Sequence, residues 1–143
     1  MDVLFIASVA IVTPEPAESR KLFMGALGLP LKRHDGDDYF FSENIGGSKH
    51  FGVWPLSQAA EACFGTTAWP ADRPIPHACF EFEVADKDSV AAAAEELKSK
   101  GYLLLHGART EPWGQTVARM QTAEGVIIGI SYAPWMHGAA QVG

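Results

Sequence analysis

The chain has 143 residues, 48% hydrophobic, 20% charged and 10% aromatic, which is the make-up of one compact, water-soluble domain and excludes a disordered, collagen-like or coiled-coil chain. Eleven Lys plus Arg against seventeen Asp plus Glu give a formal charge of −6. No basic run exceeds Arg20-Lys21 or Lys32-Arg33, so the footprint of a nucleic-acid binder is missing and a cationic or neutral small molecule is the expected partner.

The apolar run Val3 to Val12 overlaps a signal-peptide core in length. Asp2 is its only charge where a positive flank is needed, and about twenty apolar residues are required to span a bilayer. It is therefore predicted as a buried strand, and no membrane partner is expected. Thr13-Pro14-Glu15-Pro16 ends it and opens a helix over Ala17 to Leu27, in which Leu22, Phe23, Ala26 and Leu27 recur at helical spacing before Gly28. Three short strands are predicted next, Leu29 to Lys32, Tyr39 to Phe41 and His50 to Leu56, separated by Asp35-Gly36-Asp37-Asp38 and Asn44-Ile45-Gly46-Gly47. Ser57 to Pro76, with Gly65, Trp69-Pro70 and Arg73-Pro74, reads as an irregular connector. The order then repeats: a strand His77 to Val84, a helix Ser89 to Lys100 with Val90, Ala93, Ala94 and Leu97 inward, and strands Tyr102 to His106, Thr116 to Gln121 and Gly125 to Tyr132. Two βαβββ modules result, at about 3–56 and 77–133, with the connector at about 57–76 and a loose tail at 134–143. Cys63 and Cys79 are too few for a disulfide framework and read as free thiols of a reducing, cytoplasmic compartment.

Three stretches carry a resemblance. They are Ser8-Val9-Ala10-Ile11-Val12-Thr13-Pro14-Glu15-Pro16 running on to Leu27-Gly28-Leu29, then Phe80-Glu81-Phe82-Glu83-Val84-Ala85-Asp86, and Pro112-Trp113-Gly114-Gln115 followed by Glu124-Gly125-Val126-Ile127-Ile128. In order and spacing they resemble the vicinal oxygen chelate superfamily of glyoxalases, extradiol dioxygenases and bleomycin-resistance binding proteins. The resemblance implies an α+β fold in which the two modules form a cupped mixed sheet around a cleft, commonly as a homodimer. It also implies that the enzymes of the family hold a divalent metal there through His and Glu. At three of those positions this chain has Ser8, Cys79 and Gly129, and the fourth falls on His50 or Gly52. Ser and Gly cannot complete such a ligand set, so no metal and no cofactor are expected. A zinc set of His50, His77 and Cys79 is the alternative weighed against this.

Strand alternation puts His77, Cys79 and Glu81 on one face and Ala78, Phe80, Phe82 and Val84 on the other. The first set suits either a ligand cleft, where Glu81 would meet a cation or donor or act as a general base, or a solvent-facing sheet surface. Trp54, Trp69 and Trp113 fall on a strand end or in loops, where flat ligands are clamped, or else serve core or dimer packing. Trp135 carries no assignment. No phosphate-loop or dinucleotide fingerprint follows a strand. The expected ligand-binding residues are Ser8, His50, Trp54, Trp69, His77, Cys79, Glu81 and Trp113. The expected function is metal-independent binding of an aromatic or natural-product ligand, as in antibiotic resistance, with a metal-dependent or cofactor-free lyase, isomerase or dioxygenase as the alternative.

Overall fold

The computed structural model of the chain describes residues 1–137. β1 (Phe5–Thr13) carries the β-branched N-terminal run. A bulge between Ile6 and Ser8 leaves Ile6 outward and buries Ala7 and Ser8 together. The Thr13 hydroxyl accepts the Glu15 N–H at 3.0 Å and the Ser19 hydroxyl at 2.8 Å, which starts α1 (Pro16–Arg20). That helix widens over Lys21–Ala26 into a π-helical turn, and Phe23 from it packs on Phe51 at 5.6 Å.

The predicted strand Leu29 to Lys32 is reduced to a single bridge, Lys32 with Phe41. Pro30 brings no N–H to a ladder, and the chain leaves at once through the turn at Gly36, whose φ of +79° glycine accommodates. β2 (Phe40–Ser42) and β3 (Phe51–Pro55) follow as expected. The connector does not stay irregular. Its first part is α2 (Leu56–Phe64), entered from Pro55 and closed by Gly65 in the left-handed region at φ +78°. Ala59 and Cys63 pack against Ala10, Val12, Cys79 and Ile127, with Trp54, Phe64 and Trp69 around them.

The second half comprises β4 (Ala78–Glu83), α3 (Lys87–Ser99), β5 (Leu104–Thr110), β6 (Thr116–Gln121) and β7 (Ile127–Tyr132). Asp86 caps α3 by accepting the Ser89 N–H at 2.8 Å, a bond that also holds its carboxyl below the usual range. Val90, Ala93 and Ala94 of α3 pack on Ala118 and Ile130, with Phe82 and Ile128 at the margin.

All seven strands form one mixed sheet in the order β2-β3-β1-β4-β7-β6-β5. β1 runs parallel to β3 and β4 parallel to β7, the crossover expected of each module, while the antiparallel pair β1 and β4 joins the halves. α1 and α3 cover one face. α2 covers one end of the other face, and the rest of that face is open. The tail also departs from expectation: Pro134–Met136 makes a 3₁₀ turn, and His137 is buried. Its Nε2 donates to Glu83 Oε2 at 2.8 Å, and the same carboxylate oxygen accepts the Ala133 N–H. A carboxylate with no exposure draws in whatever donors the chain can bring to it. The rest of the predicted tail, 138–143, lies outside the described residues. Among the described residues, no helix is long and apolar enough to cross a membrane.

Candidate functional site

The open part of the sheet face is a cavity of about 460 Å³ lined by residues from both modules. Its floor follows from the strand register. Ser8 pairs with Glu81, and Glu81 with Gly129; one row along, Gly52 pairs with Ala10, and Ala10 with Cys79. Alternation sends all of these side chains to the same face. The floor is therefore made of small groups, and the larger polar side chains stand over its two glycines. A Cβ on Gly52 would collide with the Tyr39 hydroxyl, and one on Gly129 would lie 3.1 Å from Glu81 Cγ and 3.4 Å from Glu81 Oε2.

Tyr39 comes from the loop before β2, and that loop is tied down by Asp37 Oδ1, which accepts both the Tyr39 N–H at 3.1 Å and the Gln58 side-chain N–H of α2 at 2.9 Å. Burial raises the Tyr39 phenol well above its usual range, and the charge of Glu81 pushes the same way. The phenol therefore keeps its proton. Its oxygen lies 2.6 Å from His50 Nε2, and His50 Nδ1 lies 3.4 Å from Glu43 Oε1. A carboxylate beside Nδ1 assigns the ring proton of a neutral imidazole to that nitrogen, so Tyr39 donates to Nε2. Tyr39, Phe41 and His50 are mutually stacked, with ring planes within 18° of one another and centroids 5.2–5.8 Å apart, giving an aromatic cluster on one side of the cavity.

The opposite side is polar. Gln115, just before β6, donates from Nε2 to Glu81 Oε1 and to Ser131 Oγ, both at 2.9 Å, and its Oε1 accepts the Trp113 indole N–H at 2.8 Å. Behind Trp54 lies Arg119, 1% exposed, its guanidinium 5.8 Å from the indole ring. Arg119 Nη1 donates to His106 Nε2 at 3.1 Å and sits 3.6 Å from Glu111 Oε2, while Arg109 holds Glu111 Oε1 at 2.8 Å. Burial lowers the His106 pKa to about 4, helped by the two arginine charges, so His106 is neutral, its Nδ1–H donating to the Gly107 carbonyl at 2.7 Å. Trp113 and Trp135, about half exposed, and Met136 form the mouth.

Ser8, His50, Trp54, Cys79, Glu81 and Trp113 all line this cavity; Trp69 and His77 do not. Trp69 stands edge-on to Phe64 at 4.9 Å and donates its indole N–H to the Pro74 carbonyl, so it packs on α2. His77 precedes β4 at the exposed end of the strand, beyond the floor. The zinc set of His50, His77 and Cys79 is thus not brought together. Among the described residues, no three His, Cys, Asp or Glu side chains converge in a way that would hold a metal ion. The positions at which the resemblance implies ligands carry Ser8, Gly52, Cys79 and Gly129, with Tyr39 and Glu81 occupying the space above the glycines. This donor set does not fit a divalent metal. Burial raises the Cys79 thiol further from its thiolate, and the Glu81 charge adds to that.

Sequence reasoning missed Tyr39, Gln115, Arg119 and Trp135. Only Arg119 left a readable signal, a charged residue between Ala118 and Met120 in the middle of β6.

The profile of the Glyoxalase/Bleomycin resistance protein/Dioxygenase superfamily matches residues 5–130. Among solved structures, methylmalonyl-CoA epimerase from Mycobacterium tuberculosis is similar, with TM-score 0.59 and 17% identity over 96% of this chain and 93% of that one. A glyoxalase/bleomycin resistance protein/dioxygenase superfamily member from Vibrio splendidus gives TM-score 0.54 and 14% identity over 90% and 97%. The Mn(II)-bound glyoxalase from Novosphingobium aromaticivorans gives 0.58 and 17% over 90% of this chain and 38% of that one. At such identities the likeness is one of fold. None of the curated proteins compared with the chain matches it.

Proposed function

As the chain belongs to the glyoxalase/bleomycin resistance protein/dioxygenase superfamily, we propose that it is a metal-independent small-molecule binding protein that sequesters a flat aromatic ligand, an aromatic natural product such as an antibiotic among them. One observation carries the reading: an aromatic-walled cavity of about 460 Å³ stands where the family's metal ligands would be, and its floor positions are Ser8, Gly52, Cys79 and Gly129. Ligand sites of drug-sized molecules are of this size, mostly apolar, with a few placed polar groups. Here the rings of Phe41, His50 and Trp54 supply stacking area, and Glu81, fixed by Gln115, supplies polarity. Two buried free thiols accord with a reducing cytoplasm, and a homodimer belongs to the same reading.

A second reading, a cofactor-free lyase or isomerase with Glu81 as base, is favoured by the Glu81 oxygen that Gln115 leaves free. The deciding experiment is a thermal-shift screen of untagged, chelator-stripped protein against aromatic natural products. At least one compound is expected to raise the midpoint without added metal and without being converted, with a smaller shift in Trp54→Ala. Silence across the library, or stabilisation that requires zinc, manganese or iron(II), overturns the binding reading, and conversion of a bound compound favours the enzyme.

A further inference from the structure

Taking the cavity as a binding site, we infer from its hydrogen-bond inventory that it selects a planar aromatic base bearing N–H donors at both ends, of the amino-substituted heterocycle or amidinium class. Several donors around the floor are already committed. Both amide hydrogens of Gln115 go to Glu81 and Ser131, the Trp113 indole N–H goes to Gln115, and the Gln58 amide reaches Asp37. Arg119 is turned to His106 and Glu111.

Facing the cavity at its two ends is a pair of acceptors, with the Ser8 hydroxyl on the floor between them able to give or take a hydrogen bond. Tyr39 donates its only proton to His50 Nε2 at 2.6 Å, and Glu43 beside Nδ1 keeps the imidazole oriented to receive it, so the phenol offers lone pairs. At the other end, among the described residues, Glu81 Oε2 accepts no hydrogen bond and lies against Gly129. An acceptor left unpaired inside a site penalises a guest that brings no donor, which converts this inventory into selectivity.

The separation of the two acceptors sets the length of the guest. Tyr39 stands over Gly52 on β3, and Glu81 rises from β4 and leans towards Gly129, with β1 between the two strands. That is two strand spacings, about 10 Å along the sheet. Between the posts the floor is Ser8, Ala10 and Cys79, low enough for fused rings to lie across it, and the stacked rings of Phe41 and His50 stand at its edge. Asp37, Glu43 and Glu81 outnumber Lys32 and Arg119 among the charges lining the cavity, and so they favour a cation.

The test uses three flat probes titrated at pH 8 by fluorescence: proflavine, a cation with amino groups at both ends; acridine orange, the same ring and charge with those amines methylated; and anthracene-9-carboxylate, an anion without donors. Proflavine is expected to bind about tenfold or more tightly than either of the others. Tyr39→Phe is expected to weaken proflavine about two- to tenfold and leave acridine orange unchanged, and Glu81→Gln to weaken proflavine about tenfold or more. The melting midpoint of each variant checks that it is folded. Equal or tighter binding of acridine orange or of the carboxylate overturns the donor-ligand assignment and leaves the binding reading standing, as does proflavine binding unaffected by both variants. If none of the three binds, the assignment falls, and the natural-product screen decides separately whether the cavity is a binding site.

Discussion

Gly52→Ala isolates the most specific packing claim made above. The backbone at Gly52 is not in the left-handed region, so alanine suits its conformation, and reduced freedom of the unfolded chain alone would stabilise the protein by about 0.4–1 kcal/mol. The new methyl, however, would overlap the hydroxyl and lie 2.5 Å from Cε1 and Cζ of Tyr39. Tyr39 cannot simply swing away, because its N–H is held by Asp37 and its hydroxyl by His50. Overpacking of this kind costs about 1–3 kcal/mol. For 143 residues the unfolding entropy is about 0.3 kcal/mol per degree, so the midpoint should fall by about 3–10 °C. In a Tyr39→Ala background the obstacle is gone, and the same substitution should be neutral or stabilising, a reversal of sign within one double-mutant cycle. Urea and thermal unfolding of the four proteins measure it. A Gly52→Ala protein as stable as the parent, or equally destabilised with and without the Tyr39 ring, would refute the placement of Tyr39 over the floor.

Three further outcomes follow from other parts of the molecule. His106→Gln should flatten the acid limb of stability: with its folded pKa lowered to about 4 from an unfolded value of about 6.5, the unfolded chain takes up more protons in that window, so stability falls as pH drops from 6.5 towards 4, and urea midpoints at pH 7.5, 6 and 4.5 that fall equally in parent and variant would contradict it. Burial pushes the Cys63 thiol up to about 11 and the Cys79 thiol up as well, so at pH 8 only about one Cys63 in a thousand is thiolate; iodoacetamide should label the native protein slowly and the urea-unfolded protein quickly, and equal rates by mass spectrometry would count against both burial assignments. His137→Ala leaves the buried Glu83 carboxylate with the Ala133 N–H but without its imidazole, which should cost about 1–3 kcal/mol and shift the Trp135 emission; an unchanged midpoint and spectrum would show that the turn is held by something else.

How far the sequence alone reaches depends on how local the deciding interactions are. The second module was readable because its signals sit within a few residues: Gly101 after α3, and alternation along β4 that separates Cys79 and Glu81 from Phe80 and Phe82; the helix itself starts at Lys87 under the Asp86 cap, two residues before the predicted Ser89. α2 escaped notice although its stop signal, Gly65, was in view. Nine residues with Ala59, Ala60 and Cys63 as the buried stripe give too faint an amphipathic pattern among so many prolines and glycines, and the helix is stabilised by packing on Ala10 and Ile127, far away in sequence. The shared face of Cys79 and Glu81 was legible from strand periodicity, and Ser8 and Gly129 were tied to the site only by the family resemblance. The roles of Tyr39 and Gln115 were not, because they depend on a loop tied to α2 and on side chains reaching across strands. The choice between His50 and Gly52 needed the register: Val9 opposite Phe51 sets Gly52 in the row of Cys79 and leaves His50 just before β3, against Tyr39.

The helix that fills one end of the sheet face separates two properties a binding protein must adjust independently. On the proposed binding reading, how deep a guest reaches is set by Trp54 and the α2 cluster of Cys63 and Phe64. Which guest is recognised is then set elsewhere, by Tyr39 on the first module and Glu81 on the second. A lineage adapting to longer or bulkier compounds can therefore trim or enlarge side chains of the plug while its recognition chemistry stays intact, and one changing chemistry can exchange the posts without rebuilding the floor. Divergence within such a lineage would be expected to accumulate in two separate sets of positions, one tracking molecular size and one tracking polarity.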